Sequence, residues 1–202
     1  GIRNLDEKKC VAFATNANDA LFVSKDVARI LLAKVYMYQQ KWAAASNLLQ
    51  QVVDKNIYSM EKVPTKYTSE NKDLILALKL LGIESRASRV NVDGSPEEVV
   101  PIMTSTDVKL LYAECEIHLG NNAKASKYIS EVGNINGISG TNVSVEGIKQ
   151  LRKSLKLQDY FAFLKRNGLA IKELGLEKYQ LLLPIPQNEI NMNPNMTQNP
   201  GY

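Results

Sequence analysis

His118 is the single histidine of this 202-residue chain, and it is the first side chain to consider for metal or acid–base chemistry. It lies at the end of a predicted helix, where a cationic side chain interacts favourably with the helix dipole. One histidine does not make a histidine-based zinc site, and Cys10 and Cys115 form no C-x-x-C pair. We therefore predict no metal site, a structural role for His118, and a buried, apolar helical position for Cys115.

Two pairs of carboxylates, Glu97 with Glu98 and Glu114 with Glu116, are the candidates for acid–base catalysis. Glycoside hydrolysis needs two carboxylates that face each other across a cleft. Residues two apart on a helix point in different directions, and Glu97 and Glu98 follow a Ser-Pro pair in a predicted turn or loop. The glycine-rich stretch at 133–140 (GNINGISG) lacks the ending of a phosphate-binding loop. The chain is therefore predicted not to be an enzyme and to hold no cofactor.

Aromatic rings surrounded by polar groups are the remaining candidates, because the apolar faces of sugars stack on such rings. Tyr67 lies among lysine, threonine, serine, glutamate and asparagine, and it is the candidate ligand-binding residue of the chain. Trp42 lies at a predicted helix–helix turn and is predicted to have a structural role. Tyr36, Tyr38 and Tyr112 fall on helical faces and are predicted to be core residues.

The composition is that of a globular protein, with 45% apolar and 23% charged residues. The net charge is +4, and the lysines and arginines are scattered along the chain. Nucleic-acid binding would need a dense basic stripe, so it is not expected. No stretch approaches the roughly 20 apolar residues of a membrane span.

An internal repeat organises the helical part of the chain. Ser24 is a good helix N-cap, and apolar residues at helical spacing predict helices over about 24–40 and 42–56. A shift of 80 positions superimposes this hairpin on a second one at about 105–132. Each hairpin has two alanines 12 positions apart, which lets the helix backbones approach closely; they are Ala33 with Ala45 and Ala113 with Ala125. This pattern is typical of tetratricopeptide repeats.

The insertion between the hairpins, residues 57–104, is too long for a simple connection and is a candidate functional loop. Residues 66–70 are polar and predict a loop, and the Asp-Gly-Ser-Pro sequence at 93–96 predicts a turn. The apolar run at 74–81 (LILALKLL) fits either a buried strand or a turn of helix, because periodicity does not separate the two.

Residues 144–202 are predicted to form a C-terminal helix and an extended tail. Apolar spacing predicts the helix over about 144–164, and Gly168 suits the position after a helix end. The prolines within 179–186 predict an extended path, and the last 16 residues, rich in Asn and Pro, predict no regular element. We thus expect a mainly α fold in a single domain over residues 1–202, with loop-rich insertions.

The C-terminal stretch at 181–202 (LLLPIPQNEINMNPNMTQNPGY) closely resembles the terminal signature of the SusD/RagB family. The family signature has an apolar run, Pro-Ile-Pro, a Glu-Ile pair, Asn-Pro-Asn and a closing Gln-Asn-Pro-Gly-Tyr. Both hairpins resemble the family too, through Leu-Ala-Lys-Val-Tyr before a Trp in the first and Leu-Tyr-Ala-Glu in the second. The resemblance covers about residues 20–202. Family members are usually more than twice this long, so the chain is identified as a divergent or truncated member.

The resemblance implies a SusD-like scaffold of tetratricopeptide-like units at the cell surface. It implies attachment to the outer membrane only through a lipid anchor outside this chain. It also implies a TonB-dependent SusC-like transporter as partner and an oligosaccharide or polysaccharide as ligand. The alternative is a protein-interaction module that docks to the transporter without a glycan site of its own, because the family's N-terminal half, which helps to frame the ligand site, is missing or reduced.

Overall fold

The computed structural model describes residues 20, 23–55, 57–68, 70–79 and 98–202. The predicted mainly helical fold is confirmed, and the two predicted hairpins are both present. The helices of the hairpins follow one another as α1 (Lys25–Tyr38), α2 (Trp42–Val53), α3 (Ser105–His118) and α4 (Asn122–Ile135). Each of these helices packs against the next in the order α1, α2, α3, α4, so that the two hairpins form one stack.

The 80-position repeat holds in the backbone as well as in the sequence. Helices α1 and α3 have the same length, and both begin after a residue with a capping hydroxyl. The Ser24 hydroxyl accepts a hydrogen bond from a backbone amide in the first turn of α1, and the Thr104 hydroxyl accepts one from a backbone amide in the first turn of α3. Gln40 and Gly120 occupy equivalent turn positions, and both have a positive φ, 57° and 78°. The four alanines at the helix crossings are all 0% exposed; they are Ala33, Ala45, Ala113 and Ala125.

A small antiparallel sheet precedes α3. Its strands are β1 (Tyr67–Thr68), β2 (Leu74–Lys79) and β3 (Glu98–Thr104), and β3 lies between the other two. The apolar run at 74–81 therefore forms a strand over its described part, which decides between the two alternatives. The polar stretch at 66–70, predicted as a loop, contributes the short edge strand β1 because Tyr67 pairs with Val99.

Glu98 lies in β3, so the predicted charged turn is wrong at this position. Cys10, Glu97 and the turn predicted at 93–96 lie outside the described residues. The glycine-rich stretch at 133–140 is only partly a loop, since α4 continues to Ile135. Gly133 is needed inside that helix because a Cβ atom there would lie 2.4 Å from the carbonyl oxygen of Ile138.

The single helix predicted at 144–164 is wrong, because the chain breaks there into two helices. Lys156, with a φ of 52°, reverses the backbone between α5 (Val145–Ser154) and α6 (Tyr160–Arg166). Gly168 follows the end of α6 with a φ of 69°, as predicted.

The last part of the chain contains more regular structure than its composition suggests. A short helix α7 (Ala170–Leu174) and a 3-10 helix (Lys178–Leu181) precede the prolines. Residues after Pro186 form α8 (Gln187–Met192), so the prediction of no regular element in the last 16 residues is also wrong. Proline is well tolerated at a helix start, where the missing N–H has no helical partner.

Two compact units divide the chain, Gly1–Leu157 and Gln158–Tyr202. The first contains both hairpins, the sheet and α5, and the second contains the remaining helices and the tail. The assignment of one domain to residues 1–202 stays a prediction. In the described ranges, every helix is too short or too polar to cross a lipid bilayer.

Candidate functional site

The two hairpins meet at an aromatic contact between Trp42 and His118. Trp42 begins α2 and His118 ends α3, and their rings are stacked with centroids 3.8 Å apart and planes 7° from parallel. Trp42 is half-buried and His118 is exposed. Trp42 thus stacks on the other hairpin, a contact that the sequence analysis did not foresee. The repeat register could have suggested it, because the turns of stacked hairpins lie along the same edge.

Glu116 lies between the hairpins and is 1% exposed. Its Oε1 accepts a hydrogen bond from Ser46 Oγ at 2.5 Å, and its Oε2 accepts one from Asn121 Nδ2 at 2.9 Å. The ammonium of Lys124 lies 3.9 Å from the same Oε2. Hydrogen bonds to both oxygens compensate for burial of the carboxylate. The sequence analysis missed this role, although Ser46 and Glu116 both lie on predicted helices.

Among the residues that the structure describes, the candidate catalytic carboxylates Glu98, Glu114 and Glu116 do not face one another across a cleft. Glu114 is 0% exposed and lies, like Glu116, inside the helix stack. In the parts of the chain described, no three His, Cys, Asp or Glu side chains converge as a metal site. Cys115 and Tyr112 are buried, as predicted, whereas Tyr38 is 49% exposed, so its prediction as a core residue is wrong.

Asp73 is a buried carboxylate that directly precedes β2, and it is 1% exposed. It contacts the first turn of α3. Its Oδ1 accepts hydrogen bonds from the amide of Thr106 at 2.9 Å and from the hydroxyl of the same residue at 3.2 Å. Its Oδ2 is buried without a hydrogen-bond partner. Burial raises the pKa of Asp73 to about 6; the bonds from Thr106 oppose this shift, and the charges of Asp107 and Glu61 add to it.

A second buried carboxylate, Asp107, lies in the first turn of α3. Asp107 Oδ1 lies 3.2 Å from Nη1 of Arg152, which belongs to α5 and is 0% exposed. The ion pair connects α3 to α5 within the first unit. A buried guanidinium needs such a carboxylate, since an uncompensated buried charge is strongly destabilising.

Tyr67, the candidate ligand-binding residue, lies on the edge strand of the sheet. Its ring packs against the buried cluster of Leu74, Ala77 and Val99 and is half-buried. Burial raises the pKa of the Tyr67 hydroxyl, and the nearby charges of Asp73 and Asp107 raise it further. The phenol is therefore neutral over the physiological pH range and can donate and accept hydrogen bonds.

A surface ion pair lies beside this strand. Lys66 Nζ lies 3.0 Å from Glu98 Oε2, and both side chains are exposed. We call Tyr67, Lys66 and Glu98 the Tyr67 patch. It combines one partly accessible ring with a cation and a carboxylate, the groups that sugar hydroxyls and ring faces require.

Comparison with known proteins assigns the end of the chain to a family. Residues 146–202 match the sequence profile of the SusD family. No curated protein sequence matches the chain.

Solved structures share the fold. A SusD superfamily protein from Bacteroides thetaiotaomicron VPI-5482 is 16% identical, with a TM-score of 0.67 over 90% of this chain. Surface glycan-binding protein A from the same species, solved with laminarihexaose, is 13% identical, with a TM-score of 0.73 over 96% of the chain. The B. fragilis protein NanU is 13% identical, with a TM-score of 0.70 over 91%. The chain spans 61%, 66% and 64% of these three proteins, respectively.

Proposed function

We propose that this chain is a member of the SusD/RagB family and that it is a cell-surface protein that binds glycans for nutrient uptake and has no catalytic activity. The observation that supports this most directly is the fold shared with a surface glycan-binding protein solved with laminarihexaose. The C-terminal match at residues 146–202 points to the same class of protein. The ligand would be an oligosaccharide or a polysaccharide.

The Tyr67 patch is the proposed contact surface for the glycan. A tyrosine ring that is held by packing on Leu74 and Val99 loses little conformational freedom when a sugar stacks on it. Lys66 and Glu98 are exposed charged groups next in sequence to Tyr67 and to its strand partner Val99, and both can bond to sugar hydroxyls.

Affinity electrophoresis through gels cast with a panel of polysaccharides, including a β-glucan, tests this proposal. Retardation by one or two members of the panel is the expected result. Incubation of the same polysaccharides with the protein should release no reducing sugar. Release of reducing sugar would contradict the non-catalytic assignment.

A substitution of Tyr67 tests the patch itself. Tyr67→Ala is expected to weaken glycan binding by roughly two- to tenfold, the value of one aromatic stacking contact, and Tyr67→Phe to retain most of it. Phe161→Ala is the control, because Phe161 is 41% exposed but lies in the other unit. Equal binding by the Tyr67→Ala and Phe161→Ala proteins would exclude Tyr67 from the glycan site.

The alternative proposal is a protein-interaction module without a glycan site. The observation that favours it is the half-buried position of Tyr67, which leaves less ring surface for stacking than a free loop would. Absence of retardation in every gel, for this chain and for the natural-length protein, would support the alternative.

We also propose that the partner is a TonB-dependent SusC-like transporter and that a lipid anchor outside this chain attaches the protein to the outer membrane at the cell surface. Family membership is the support for both. Co-purification of a transporter with the protein from outer membranes of the natural host tests the first. Release of the protein from intact cells by external protease tests its surface location.

A further inference from the structure

The dipeptide Asn-Gly occurs twice in the chain, at residues 136–137 and 167–168. In an unfolded chain this pair deamidates spontaneously, because glycine has no side chain to hinder attack by its backbone nitrogen. That nitrogen loses its proton and bonds to Cγ of the asparagine side chain, the Cγ–Nδ2 bond breaks, and ammonia leaves. Water then opens the succinimide ring at one of its two carbonyl groups and gives aspartate or isoaspartate. Each pair is therefore a candidate modification site.

The first pair lies at the end of α4. Asn136 is the C-cap residue with a φ of −94° and a ψ of 4°, and Gly137 follows with a φ of 73°. The Gly137 amide donates to the carbonyl of Asn134 at 3.1 Å, and the Ile138 amide donates to that of Gly133 at 2.8 Å. These two bonds form the Schellman motif, which satisfies carbonyls of the last helical turn. Gly137 is exposed, so water can reach the pair once it opens.

This conformation opposes ring closure at Asn136. The ring forms only when the Gly137 nitrogen lies on the same side of the Asn136 Cα–C bond as Cβ, and a ψ of 4° does not place it there. Both ends of the side-chain amide are also held. Nδ2 donates to the carbonyl of Val132 at 2.9 Å, and Oδ1 accepts a hydrogen bond from the Val63 amide at 2.9 Å. The reaction therefore needs the end of α4 to open first.

We propose that Asn136 is a conformation-gated deamidation site, which stays intact while α4 is closed and is converted to aspartate or isoaspartate when the end of this helix opens. The product opposes reclosure. Aspartate has no N–H group for the carbonyl of Val132 and brings a negative charge beside it, and isoaspartate adds a methylene group to the main chain. Val63 lies between α2 and β1, so conversion also weakens the attachment of that connection to α4. This inference does not depend on the proposed glycan binding.

The second pair has the same geometry in the other unit. Asn167 follows α6 with a φ of −93° and a ψ of 5°, and Gly168 has a φ of 69°. Nδ2 of Asn167 donates to the carbonyl of Phe163 at 3.0 Å. This pair should therefore be protected in the same way while α6 is folded. Asn142 supplies an internal comparison, because it is exposed but precedes valine, whose branched side chain hinders attack by the backbone nitrogen.

Peptide mapping by mass spectrometry tests the proposal on the chain without any substitution. The protein is incubated in a mildly alkaline buffer, with and without enough guanidinium chloride to unfold it, and aspartate and isoaspartate are quantified at each asparagine. Deamidation of Asn136 is expected to be at least about tenfold slower in the folded protein, because it must wait for local opening. Asn142 is expected to stay unmodified in both conditions. Equal rates at Asn136 with and without denaturant, or no reaction in the denaturant, would overturn the proposal.

A substitution tests the effect of the product. Asn136→Asp places aspartate at the helix end, and Asn134→Asp is the matched control, because it adds the same charge at an exposed position of α4. Hydrogen exchange at the backbone amide of Ile138 is expected to be at least about tenfold faster in the first variant than in the second, because the end of α4 opens more often. Equal exchange in the two variants would show that aspartate does not oppose reclosure and would overturn that part of the proposal. The deamidation rates of the unsubstituted chain decide the gating if the first variant fails to fold.

Discussion

Asp73 is the residue whose environment has the most direct consequence for behaviour in solution. Its carboxylate is needed at the start of α3, where Oδ1 bonds to the amide and hydroxyl of Thr106. The other oxygen is buried without a partner, and burial raises the pKa of the group to about 6. The folded protein therefore holds a proton at Asp73 at a pH where the unfolded chain has released it.

The sign of the pH effect follows from this shift. Because the folded-state pKa lies above the unfolded value, Asp73 stabilises the fold below about pH 4 and this contribution is lost as the pH rises through about 6. The difference is on the order of 3 kcal/mol. Asp73→Asn keeps the acceptor for Thr106 and removes the titration. The free energy of unfolding of the wild type, relative to this variant, should fall between pH 4 and pH 7 in urea titrations. A relative stability that rises over this interval would contradict the assignment.

Single residues were the least predictable part of the candidate site. The sequence identified Tyr67 by its polar neighbours, but the packing of its ring on Leu74 and Val99 depends on strand pairing across an insertion. The ion pair of Asp107 with Arg152 joins residues 45 positions apart, and no local pattern reports it. Such contacts are set by tertiary structure, which residue spacing does not encode.

At the scale of the elements, the alanines at the helix crossings determine how closely the hairpin helices approach. Ala33 and Ala113 are both 0% exposed at equivalent positions of the repeat. Ala33→Leu and Ala113→Leu should each lower the free energy of unfolding by about 1–3 kcal/mol, because the added atoms have no space. Ala43→Leu is the control, since Ala43 is exposed on α2. A destabilisation by the Ala43 variant equal to that of the other two would refute a crossing-specific effect.

The helices of the stack were predictable because their signals are local. Ser24 caps α1, and the alanine spacing and the 80-position repeat located both hairpins. The break at Lys156 was not predictable, because a lysine with a positive φ has no sequence signature. Helix α8 was missed for a related reason: the composition around Pro186 suggests irregular structure, although proline is compatible with a helix start.

At the scale of the whole molecule, Cys115 reports on the integrity of the stack. It is 0% exposed in α3, which α2 and α4 flank. In a Cys10→Ser background, alkylation of Cys115 should require global unfolding, so its rate should rise with urea as the global unfolding constant does. Rapid labelling in the absence of urea would show that the stack opens locally.

The resemblance to the family could be found from the sequence because the signature is a contiguous stretch at the end of the chain, and the SusD family profile matches residues 146–202, which include that stretch. The ligand could not, because glycan recognition depends on a few side chains brought together by the fold. The insertion at 57–104, predicted as a functional loop, is described only in part, and its function stays a proposal.

The stacked rings at the junction of the hairpins give the protein an optical reporter of its own. Trp42 is the only tryptophan and His118 the only histidine, so all indole emission originates at this contact. Separation of the two rings changes the surroundings of the indole, so its emission should change when the stack is lost. His118→Gln removes the stacked ring and should change the emission spectrum of the folded protein. Separation of the hairpins could then be followed in real time, without a label, during unfolding or on binding of a ligand.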